Sequence, residues 1–113
     1  MDFDIEKYRQ DFEIIRDTAA QVMKDFNMAG FEIKFSGNEL IAYDELKEQI
    51  IPILSELYND HSGQFQQLLY RVDIEESKFS ELLERHDPIT FYSSLADLIL
   101  QREFQKVLTR KFY

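Results

Sequence analysis

Only three glycines and two prolines interrupt 113 residues. That scarcity is the strongest constraint on the fold, because a chain that seldom offers a positive φ or a missing amide must run in long regular segments. The regularity is helical. Apolar residues at Ile5, Tyr8, Phe12, Ile15, Ala19, Val22 and Phe26 are separated by alternating steps of three and four, the repeat of one helical face. Asp4 is the expected N-cap and Gly30 the expected left-handed stop, giving a helix from about Ile5 to Met28. The seam, widened by Ile14 and Met23, suits packing inside a bundle. Three heptads also reach the lower bound for a coiled-coil seam, so pairing with a second copy through the Ile5 to Phe26 helix is the other use it allows.

The period changes once. Phe31, Ile33 and Phe35 alternate with Glu32 and Lys34, and the turn-forming run Ser36-Gly37-Asn38-Glu39 follows, so a short strand or β-hairpin is expected near residues 31–43. The competing expectation has Asn38 capping a helix that begins at Glu39, leaving one lone extended segment. Beyond it, Asp44 is the expected cap of a helix that buries Leu46, Ile50, Ile53, Leu54 and Leu57, with Pro52 kinking or restarting it. Ser62 opens a helix with Phe65, Leu68, Leu69 and Val72 inward. Asp73 and Glu76 resemble a capping box for a fourth, whose inner face carries Phe79, Leu82, Leu83 and His86. Asp87-Pro88 then launches a last helix to about Lys111. Its apolar residues, from Phe91 to Leu108, cover too wide an arc for a surface helix, so it should be central. The expected architecture is mostly α: one helical domain over 1–113, a bundle of about five helices with the strand or hairpin on one side.

Twenty-two acids against 13 bases give a net charge of −9. Such a surface repels phosphate, so nucleic acid and anionic membranes are disfavoured and a basic protein partner is preferred. The absence of cysteine excludes disulfides, zinc thiolates and thiol nucleophiles, and the start MDFDIEKYRQDF lacks the basic and apolar regions of a leader. A cytoplasmic protein is expected.

Chemistry-bearing patterns are sparse. His61, His86, Asp87 and Asp97 follow the order of a metal-dependent phosphohydrolase of the HD type, in which imidazoles and carboxylates converge on one cation. The pattern departs from that family where Pro88 follows Asp87 and where Asp97 comes early. Ser93 and Ser94 have no histidine near them in sequence to act as base, and no phosphate-binding glycine loop exists. No cofactor is expected.

At the C-terminus Arg102, Lys106 and Arg110 recur every four residues, with Lys111, Phe112 and Tyr113 beyond them. This stripe would either grip an acidic partner or phosphate, or complement the helix dipole and the chain's own acids. The composite expectation is a non-enzymatic acidic interaction protein, with an inhibitor or immunity-type protein for a basic partner as one version. The alternatives are the metal-dependent hydrolase and a contact made through the basic terminal helix.

Overall fold

Asp11 opens the first helix. Its backbone is extended (φ −84°, ψ 105°), and its carboxylate accepts the amides of Glu13 and Ile14 at 3.1 and 3.2 Å. The structure, a computed structural model, describes residues 11–85 and 87–112. Asp4, Ile5 and Tyr8 lie outside the described residues. Because Asp11 is extended, helix α1 (Phe12–Met28) does not run unbroken from Ile5 as its seam suggests. At the other end Gly30 takes φ +93°, its amide bonding Asn27 and that of Phe31 reaching Phe26, a Schellman stop.

The inner face of α1 keeps Ala19, Val22 and Phe26 of the expected seam and is widened on the side of Ile14. Ile14, Ala19, Val22 and Phe26 are buried together with Gln21 and Asp25, while Phe12 is half exposed. Polar side chains go under only where partners await them, and Gln21, Asp25 and Lys106 supply one another.

No strand forms among the described residues, so the expected hairpin is replaced by its competitor, the lone extended segment 31–36. Ile33 is buried and Phe31 and Phe35 pack on the core. The ladder partner is a helix: Gln49 bonds the amide and carbonyl of Lys34 and Glu45 accepts the amide of Ser36. Asn38 then caps a 3₁₀ turn, Glu39–Ile41, by accepting the Leu40 amide at 3.0 Å.

That turn leads directly into α2 (Ala42–Asp60), which therefore starts two residues before Asp44. The helix continues through Pro52 and does not restart. The carbonyl left without a donor is that of Glu48, and both residues lie on the solvent side where water can serve it. α3 (Ser62–Val72) ends at Asp73, left-handed at φ 70°. Asp73 therefore closes α3 and does not cap α4 (Glu76–Arg85), where the carbonyl of Glu75 accepts the amides of Lys78 and Phe79. Phe79 and Leu82 anchor α4, whereas Leu83 is exposed.

Asp87 caps α5 (Pro88–Phe112) through the amides of Ile89 and Thr90 at 3.0 and 2.9 Å, with Pro88 in the first helical position. α5 is the central helix, packing on α1 and α2 and also on α3 and α4. Leu54, Leu57, Leu68, Leu95 and Ile99 are fully buried at this junction. Tyr58, Phe65, Phe79, Phe91 and Tyr92 join the four later helices, with ring centroids between 5.2 and 6.2 Å apart and the rings tilted or edge-on. The result is a compact all-α globule of five helices among the described residues. None of these helices is long and apolar enough to cross a membrane.

Candidate functional site

The terminal basic stripe is drawn inward. Arg102 donates from Nε to the Asp73 carbonyl at 3.0 Å and from Nη2 to its carboxylate at 2.7 Å, clamping the left-handed turn after α3. Lys111 reaches back to α1, 2.5 Å from Glu13 and 3.3 Å from Asp17. The Glu13 hydrogen bond, with Asp17 behind it, raises the Lys111 ammonium above its ordinary pKa. Arg110 is exposed and has no ion pair with a described residue. Phe112 is half exposed, and Tyr113 lies outside the described residues.

Lys106 is the most engaged of the set. Its ammonium lies 3.2 Å from Asp25 Oδ2, 2.9 Å from Glu103 Oε1 and 3.1 Å from the Arg71 carbonyl, an end carbonyl of α3. Gln21 donates to the other Asp25 oxygen at 3.1 Å. Glu103, the one acid from Arg102 onward, is wholly buried, which the sequence reading does not anticipate. Its position held a signal: Leu100, Glu103 and Val107 keep the three-and-four spacing of the inner face. Burial, then a hydrogen bond with Asp25, pushes the Glu103 carboxyl up to about 8 despite Lys106 beside it.

The metal ligands of the alternative reading do not converge among the described residues. Asp87 is spent as a helix cap, and Asp97 holds Lys47 at 2.9 Å and accepts the Tyr43 hydroxyl. Ten residues apart on one helix, the two carboxylates are separated by roughly 15 Å of rise, far beyond one coordination sphere. His61 is exposed at the α2–α3 junction and His86 lies outside the described residues. Among the described residues no group of three His, Asp or Glu is placed to hold a metal.

The outer face of α2 has a different character. Asp44, Glu48, Glu56 and Asp60 are all exposed and form no ion pair among the described residues, while the one cation of this helix, Lys47, is turned to Asp97. Just before them Leu40 is 78% exposed and Ile41 47% exposed. The 3₁₀ turn holds both, tied to α1 by an Arg16–Glu39 contact of 3.4 Å. The arrangement is an apolar knob at one end of an acidic helix face. No protein-family model matches the chain, and neither does any curated protein or solved structure.

Proposed function

We propose that this chain is a non-enzymatic interaction protein that engages a basic protein partner through the 3₁₀ turn and the outer face of α2. The observation that carries this reading is the unequal treatment of charge. Arg102, Lys106 and Lys111 are neutralised by acids of the same chain, whereas Asp44, Glu48, Glu56 and Asp60 are left to solvent. A face of one sign steers an oppositely charged surface and raises the association rate, and Leu40 and Ile41 supply apolar area for the contact to bury. An inhibitor or immunity-type role toward a basic toxin or nucleic-acid-binding protein is one form this takes.

The test is affinity capture from native cells, crosslinked through the chain, followed by titration of the purified partner. A basic partner should lose affinity about tenfold or more as salt rises from low to several hundred millimolar. The variant D44N/E48Q/E56Q/D60N should weaken it further. Salt-insensitive binding that survives in the variant would exclude this reading.

A further inference from the structure

Four features of the buried polar cluster bear on one another. Asp25 and Glu103 bring two carboxyl groups to a single ammonium, and Glu103 has no exposed surface. The ammonium has no donor to spare. Lys106 has three N–H bonds and three acceptors, Asp25, Glu103 and the Arg71 carbonyl, while the Gln21 amide serves Asp25. Glu103 Oε2 consequently has no donor, the one buried side-chain oxygen among the described residues in that position. A proton on Glu103 gives its carboxyl an O–H to donate to Asp25, with which it is hydrogen-bonded, and leaves one negative charge for one positive. Without it the cluster holds an uncompensated buried charge, which proteins tolerate poorly.

The surroundings determine what gives way. Ile14, Phe104, Val107 and Leu108 form a small apolar cluster of their own, separate from the main core. The last turns of α5 can therefore part from α1 without opening the junction at Leu54, Leu68 and Leu95. The charged groups bearing on Glu103 are Asp25 from α1 and Lys106 from α5 itself. From α3 comes the main-chain carbonyl of Arg71, bound to Lys106. Among the described residues no charged group of α2 or α4 acts on Glu103.

We propose that Asp25, Glu103 and Lys106 form a proton-operated latch, which locks the C-terminal half of α5 onto α1 and α3 while the two carboxyl groups share a proton and releases it when that proton leaves. The release also frees Lys106 from the α3 terminus, so one deprotonation loosens two helix ends. The burial-driven rise of the Glu103 carboxyl to about 8 sets the event near neutral to mildly alkaline pH.

The test is carboxyl-carbon NMR titration of Glu103 in the intact chain, alongside amide hydrogen exchange of residues 104–112 corrected for intrinsic base catalysis. The carboxyl should titrate well above the ordinary range. Protection of those amides should fall by up to tenfold per pH unit from the ordinary carboxylate range up to the Glu103 midpoint and level off above it, staying below that of the α2 amides throughout. E103Q should abolish that pH dependence, and D25N should move the midpoint down. Titration of Glu103 at an ordinary carboxylate pH, or residues 104–112 as well protected as α2 throughout, would overturn the proposal. So would equal pH dependence in wild type and E103Q. In wild type, the Glu103 midpoint set against the pH at which protection levels off decides even where a variant fails to fold.

Discussion

Gln49 holds the main chain of Lys34 from both sides: its side-chain carbonyl accepts the Lys34 amide at 2.8 Å and its amide group donates to the Lys34 carbonyl at 2.7 Å. A single glutamine thus stands in for the neighbouring strand that the extended segment lacks. It is itself steadied by a 3.0 Å bond to the Glu45 carbonyl one turn earlier. Q49A should destabilise the protein by roughly 1–2 kcal/mol in urea unfolding, the sum of two partly exposed hydrogen bonds. Q49E, which keeps the acceptor and loses the donor, should fall between.

Asp73 combines a left-handed backbone with an ion pair to Arg102. D73A should cost about 1–2 kcal/mol, because alanine tolerates φ 70° poorly and the Arg102 bond is lost. D73G removes the same side chain and relieves the backbone, so it should cost less than D73A. Thermal unfolding of the two variants separates the contributions.

The buried glutamate makes stability depend on pH with a definite sign. The carboxyl of Glu103 is lifted to about 8 in the folded protein, from 4.5 when unperturbed. Between those values the folded state holds a proton that the unfolded state has released. The stabilisation this gives is complete below the unfolded value and is lost as pH rises through the folded one, at up to about 1.4 kcal/mol per pH unit. Glutamine preserves the neutral form's donor and acceptor. E103Q should therefore match wild type near pH 5 and exceed it by something on the order of 3–4 kcal/mol near pH 8, read from paired denaturation curves.

Lys111 ties the end of α5 to Glu13 and Asp17 from the surface. Solvent and salt screen such contacts, so K111A should cost less than about 1 kcal/mol. The difference should shrink further in high salt, as urea unfolding at two ionic strengths would show.

These residues also mark which parts of the molecule are legible in the sequence. Caps depend on neighbours a few residues away, and so the end of α1 at Gly30 and the start of α5 at Asp87-Pro88 can be read directly. The start of α1 is different: Asp4 lies outside the described residues, and the cap at Asp11 falls inside an apolar seam that gives no sign of a break. Alternation at Phe31, Ile33 and Phe35 correctly indicates extended backbone, yet its partners are helical side chains for which no period exists. Asp73 has the chemistry of an N-cap, but Arg102, 29 residues away, holds it at the end of the preceding helix. Glu103 lies deepest of all, and its burial rests on a lysine one turn along and an aspartate 78 residues earlier in the chain.

The central claim is that three of the four cations of the terminal helix, Arg102, Lys106 and Lys111, are paired within the fold while the exposed acids of α2 are left available. Residue-by-residue near-surface potentials, obtained by NMR from the relaxation caused by cationic and anionic nitroxide cosolutes, test it without a partner in hand. The account predicts strongly negative potentials beside Asp44, Glu48, Glu56 and Asp60, and potentials near zero beside Arg102, Lys106 and Lys111. A continuous positive band along the last turns of α5, with no negative band on α2, would contradict it.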